Sequence, residues 1–223
     1  MTPSLLEPPL LARLRRHHRI LIAGAGGGFD VYAGLPLYVA LRAAGHEVSL
    51  ANLTFTYLGE TDCRFVAPHL AVATLETMRG DRYFPERRLA EWLHAAGYPP
   101  EVYVFEKVGV RPLRAAYEHL VGALGIGAVL LVDGGTDILM RGDEAGLGTP
   151  EEDMTSLAAV SKLAGVEAFV TSIGFGIDAF HGVCHAHVLE NIAAIEREGG
   201  YLGAFSVTAA MPEGRAYLDA VSR

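Results

Sequence analysis

The sequence predicts an α/β chain in which strands and helices alternate around a mostly parallel sheet. Three observations carry this. Apolar runs of strand length recur along the chain, among them Ile20–Ala23, Ala128–Val132 and Val166–Ile173. Segments with apolar residues at helical spacing lie between them, and the chemically distinctive loops each follow a predicted strand. Such alternation implies a Rossmann-like three-layer sandwich, with right-handed crossovers, helices on both faces and functional loops at the strands' carboxyl ends. The 223 residues, 51% of them apolar, suffice for one large domain with a substantial core.

Leu10, Leu11 and Leu14 predict a short amphipathic helix that ends in the solvated basic cluster Arg15–His18. The organising stretch follows, RILIAGAGGGFDVYAGLPLYVALRAAG from Arg19 to Gly45. Ile20–Ala23 is a strand; Gly24, Gly26, Gly27 and Gly28 form a turn where the backbone bends sharply or approaches a ligand. A helix then ends at Gly45. This arrangement lifts backbone N–H groups and the positive end of a helix dipole above the sheet edge, a seat for an anion. His46–Phe55 predicts a second strand, with Thr54 and Thr56 at its end. No acidic residue closes that strand, and the third glycine position of GxGxxG falls on Phe29, so NAD is disfavoured as a cofactor.

From Leu58 to Arg82 periodicity fades, and 58–100 reads as a lid or an excursion within the domain. A helix resumes at Pro85, with Leu89, Trp92, Leu93 and Ala96 on one face and Gly97 as its stop. Glu101–Glu106 is a third strand, and Pro112 opens a helix striped by Leu113, Tyr117, Leu120, Val121 and Leu124. Glu106 and Arg111 flank the loop between them. Ala128–Val132, a continuous apolar run suited to burial on both faces, delivers Asp133. Thr149, Pro150 and Glu152 look like the N-cap, first helical residue and capping-box partner of a helix running to about Leu163. After Val166–Ile173, Asp178 is the expected N-cap of a helix that contains His181, Cys184, His185 and His187 and stops at Gly199 or Gly200. Tyr201–Thr208 predicts another strand, and the C-terminal segment a helix.

Composition narrows the partners. With 26 acidic against 18 basic residues and a formal charge of −8, a nucleic-acid polymer is not expected, whereas a small anionic molecule is. Two cysteines form no disulfide framework, which suits a reducing cytoplasm. Neither a signal-peptide run nor a membrane-spanning run is present, so no membrane partner is expected. A homo-oligomer is the base-rate expectation for such a protein.

Asp133 is followed by Gly134 and Gly135, which leave room beside its carboxylate; Asp137 and Asp143 can join it around magnesium, a hard cation that takes oxygen ligands. The competing reading makes these carboxylates helix caps and turn formers. His181, Cys184 and His185 fall at i, i+3 and i+4, so on a helix they share one face and could hold zinc, although Gly182 weakens a regular helix there. Cys184 could instead be a nucleophile, or a buried thiol beside hydrogen-bonded histidines. Lys107, Arg111 and Arg141 are anion clamps or ordinary surface charges. No GxSxG elbow is present.

The segments GAGGGFDVYAGLPL, VGVRPL and VDGGTDILMRGDEAGLGTPEEDMTSLAAV resemble the DUF1152 family of uncharacterised bacterial and archaeal proteins. The resemblance implies one α/β domain, carries over no activity, and marks Gly26–Gly28, Asp30, Asp133, Gly135, Asp137, Arg141 and Asp143 as signature positions. The leading expectation is a hydrolase or group transferase acting on a phosphorylated or nucleotide-like small molecule. Asp133, Asp137 and His181 are its catalytic candidates. Gly24, Gly26, Gly27, Gly28, Asp30, Glu106, Arg111, Gly134, Gly135 and Arg141 would surround the ligand, and Asp133, Asp137 and Asp143 would hold magnesium. The alternatives are a non-catalytic nucleotide or metabolite sensor, and a zinc hydrolase built on His181, Cys184 and His185.

Overall fold

The computed structural model describes residues 7–78 and 83–223. In chain order its first elements are α1 (Pro9–Leu14), β1 (Arg19–Gly24), α2 (Asp30–Ala33), α3 (Leu35–Ala43), β2 (Glu47–Thr54), β3 (Arg64–Ala67), β4 (Leu70–Ala73) and α4 (Pro85–Ala95). Then follow β5 (Val102–Glu106), α5 (Val110–Leu124), β6 (Ala128–Asp133), α6 (Pro150–Val160), β7 (Glu167–Ser172), α7 (His185–Arg197) and α8 (Pro212–Val221).

The strands form one seven-stranded sheet in the order β3-β4-β5-β2-β1-β6-β7. From β5 to β7 every pairing is parallel, while β4 is antiparallel to both its neighbours. The parallel part runs outward from β1 in two directions, through β2 and β5 on one side and β6 and β7 on the other. Between β1 and β6 the order reverses, and in such sheets the loops diverge there and leave a crevice at the carboxyl ends. Ile22 of β1 faces Leu50 of β2 and Leu130 of β6 across the ladder, and beyond the partners of Gly24, the last residue of β1, β2 extends to Thr54 and β6 to Asp133.

Alternation along the strands divides the core. Ile20, Ile22, Leu50, Leu130 and Val132 pack on one face beneath residues of α1, α3, α4 and α8. Leu21, Ala23, Leu53, Val129 and Leu131 pack on the other against Leu113, Tyr117 and Leu120 of α5 and Ala159 and Val160 of α6. The chain is therefore the expected Rossmann-like three-layer α/β sandwich. No helix among the described residues is long and apolar enough to cross a membrane.

Several elements differ from the sequence expectation. The helix expected between the glycine turn and Gly45 is two helices, α2 and α3, meeting at Gly34. A Cβ on Gly34 would lie 2.5 Å from Ile22 Cγ2, so the junction sits directly on β1. Within 58–100, residues 64–73 form the β3–β4 hairpin and extend the sheet; residues 79–82 lie outside the described residues. Tyr201–Thr208 is not a strand. It crosses toward α1, where Leu202 accepts the Leu10 N–H at 3.3 Å, and leads into α8, which packs on α3.

Candidate functional site

The loop after β1 is built for close approach. A Cβ on Gly24 would lie 2.0 Å from Asn52 Oδ1, and Gly27 and Gly28 have φ of +92° and +62°. Asn52, at the end of β2, donates through Nδ2 to Gly28 O and to Glu86 Oε1, both at 2.8 Å. Phe55 and Tyr83 border the glycines, and Phe29 meets Tyr83 edge-on with ring centroids 5.9 Å apart. The loop thus has a polar strut behind it and an exposed aromatic border in front.

Its end delivers Asp30, whose carboxylate accepts the N–H groups of Gly26 at 2.6 Å and Gly134 at 3.2 Å. The glycine turn's donors therefore already hold an anion, one supplied by the chain. Across the crevice, the end of β6 presents Asp133, which accepts N–H groups from Gly135 at 2.9 Å and Ile138 at 3.3 Å. Asp153, from the first turn of α6, completes the group. Ligand-capable oxygens of Asp30, Asp133 and Asp153 all lie within 4.8 Å of one another. Ser156, one turn on, donates to Ala25 O at 2.7 Å and ties α6 to the glycine loop.

Crowding acid groups in a buried crevice disfavours their charge. Burial pushes Asp30 up to about 7, despite the backbone donors that oppose it. Burial, and then the charges of Asp30 and Asp137, push Asp133 up to about 8. Asp153, with no backbone donor among the described residues to offset burial and the charges of Asp133, Asp30 and Asp137, rises to about 9.

The other expected site residues are distributed around this centre. Asp137 is buried beside it, its Oδ2 accepting the Thr149 N–H at 2.7 Å and the Thr149 hydroxyl at 3.3 Å. This corrects the capping-box expectation: Thr149 does not cap α6 through its side chain, and Glu152 pairs with Lys107. Asp143 is exposed and stands outside the cluster. Arg141 is exposed beside a groove of about 610 Å³ at the start of α6, and its N–H donates to Glu144 at 3.0 Å. Glu106 ends β5 in a pair with His69 at 2.8 Å, and Arg111 is exposed in the first turn of α5.

The expectation of one helix carrying His181, Cys184 and His185 is overturned. His181 ends a 3-10 turn, Ile177–His181, that Gly182 terminates at φ +88°, whereas Cys184 is the N-cap of α7 and His185 its first residue. The three side chains do not form a metal-holding group among the described residues. Asp178 likewise does not cap α7. Its carboxylate accepts the Thr136 N–H and, at 3.0 Å, the Thr136 hydroxyl, bracing the loop after β6.

Sequence reading missed Asp153 and Glu86. Both were legible as acids on otherwise buried helix faces: Asp153 shares its face with Ser156 and Val160, and Glu86 with Leu89, Ala90 and Leu93.

The chain is thus a Rossmann-like α/β sandwich with a carboxylate centre at its switch point, where the loops after the first and fourth parallel strands part. The family model described as "Protein of unknown function (DUF1152)" matches residues 64–217, and the chain belongs to that family. The match includes Asp133 and Asp153 and begins after the glycine loop. No curated protein matches the chain. Among solved structures, the Streptomyces sp. SF2575 glycosyltransferase SsfS6 complexed with thymidine diphosphate is 19% identical, over 85% of this chain and 47% of that one, with a TM-score of 0.33. A second SsfS6 structure is 18% identical, over 85% of this chain and 48% of that one, with a TM-score of 0.32. The chain spans about half the length of those structures, and likeness of that degree says nothing about activity.

Proposed function

We propose that the protein is an enzyme, a hydrolase or group transferase, acting on a phosphorylated or nucleotide-like small molecule in the crevice between β1 and β6. The observation that supports this reading best is the convergence of Asp30, Asp133 and Asp153 within 4.8 Å. Carboxylates held together against their own repulsion are costly for a structural role, and such centres orient water or a hydroxyl for attack. The exposed ring of Phe29 and the bordering Phe55 offer apolar faces to a planar group of the substrate. Arg111 serves its anionic end, the glycine loop lets the substrate approach the backbone closely, Asp137 braces the centre, and His181 is the candidate proton donor. Both cysteines are thiols, Cys63 buried and Cys184 exposed, in keeping with the cytoplasm.

The test is turnover. Purified protein is incubated with nucleotides and phosphorylated metabolites, and products are followed by phosphorus NMR. Asp133→Asn is expected to lower the rate by on the order of a hundredfold or more without changing the circular-dichroism spectrum. Unchanged turnover in that variant would remove Asp133 from the mechanism. Tight binding without any product would replace the enzyme by a sensor.

A further inference from the structure

We infer that Asp30, Asp133 and Asp153 form a binding site for one divalent cation of the magnesium or manganese type. The argument begins with Asp153. It is only 3% exposed, and its Oδ1 is buried with no hydrogen-bond partner among the described residues, although it lies in the group that the other two carboxylates complete. A buried carboxylate oxygen is normally satisfied by donors or by a positive charge. Neither Asp153 nor its two neighbours makes an ion pair among the described residues. Asp30 and Asp133 differ from it in each accepting two backbone N–H groups, which orient their carboxylates and leave further lone pairs for a cation.

The space fits the same reading. A Cβ on Gly26 would lie 2.7 and 2.8 Å from the two oxygens of Asp153 and 2.8 Å from Asp30 Oδ2, so glycine alone lets both carboxylates close over the backbone. Oxygens no more than 4.8 Å apart can close on a single ion with a small inward movement, since ligands on opposite sides of magnesium at about 2.1 Å are about 4.2 Å apart. An all-carboxylate donor set selects a hard cation over zinc, which favours nitrogen and sulfur. The first residue of α2, the last of β6 and the first turn of α6 supply the ligands, so an ion there would clamp the end of the glycine loop, β6 and α6 together.

The cation site stands on the protein's own oxygens. That phosphate oxygens complete its coordination shell rests on the function proposed above. On that reading, the ion also removes a conflict, because an anionic substrate is repelled by three carboxylates unless a cation lies between them.

Manganese alone is the probe. Full-length protein treated with a chelator and then titrated with Mn²⁺ is expected to bind one ion per chain, read from the loss of the free-ion electron paramagnetic resonance signal, and Mg²⁺ is expected to displace it. Asp153→Asn and Asp30→Asn should each weaken binding tenfold or more. Melting of Asp153→Asn in chelator, expected close to the wild-type temperature because the amide keeps the shape of the side chain, shows that the loss is not unfolding. No Mn²⁺ binding by the wild type at millimolar concentration, or unchanged binding by the folded Asp153→Asn variant, would overturn the site. Mn²⁺ binding that follows these variants without turnover of any phosphorylated compound would support the site and overturn the proposed function.

Discussion

Glu86 shows how a single side chain ties the glycine loop to the pH of the medium. It is fully buried in the first turn of α4, accepts from Asn52 through one oxygen, and leaves Oε2 without a partner among the described residues. Burial raises its carboxyl from 4.5 to about 7, against the hydrogen bond from Asn52. The folded chain therefore holds this proton more tightly than the unfolded chain. Its contribution is complete below about pH 4.5 and is lost as pH rises through about 7, a change of roughly 3 kcal/mol at 1.4 kcal/mol per unit. Glu86→Gln keeps the shape and removes the titration. Urea denaturation should show the variant gaining on the wild type between pH 4.5 and 8; parallel stability profiles would mean that Glu86 is solvated.

The packing of α5 on the sheet makes a comparable prediction for an element. Tyr117 is completely buried, with its ring centroid 4.2 Å from that of Phe105 on β5, and its hydroxyl has no partner among the described residues. Burial alone drives the phenol's pKa further up. The ring contributes through burial and contact; the hydroxyl costs an unmet hydrogen bond. Tyr117→Phe should leave the helix seated and raise stability by about 1 kcal/mol, measured by chemical denaturation. A loss of similar size would reveal a partner for the hydroxyl. Gly125, at φ +62°, ends this helix in the left-handed conformation.

At the scale of the molecule, the sheet order brings together residues distant in the chain. Asp30 follows β1, Asp133 ends β6 and Asp153 opens α6, yet all three meet at the reversal between β1 and β6. If a cation binds there, it joins parts of both halves of the sheet and stabilises the folded chain as a whole. Magnesium at about a hundred times its dissociation constant should add about 2.7 kcal/mol to the unfolding free energy. Thermal melts of the wild type should rise with magnesium, while those of Asp153→Asn stay flat; an equal rise in both would place the effect elsewhere on this acidic surface.

Much of this architecture was legible in the order of amino acids, because local physics governs it. An apolar run must be buried as Ala128–Leu131 is, Gly45 and Gly97 reach positive φ without a Cβ penalty, and Asp133 follows its strand whatever the rest of the chain does. Asp133 could be singled out for the same reason, and Asp30 as a signature position of the family resemblance. Their third partner, Asp153, was legible only as an acid on a buried helix face; which carboxylates it meets was not, since sequence distance carries no information about direction. Once α6 packs with Ser156 against Ala25, Asp153 turns into the crevice, Asp137 turns to Thr149, and Asp143 remains in solvent. The residue types and strand ends follow from local preferences, whereas the convergence of particular carboxylates depends on how a helix distant in sequence docks on the sheet.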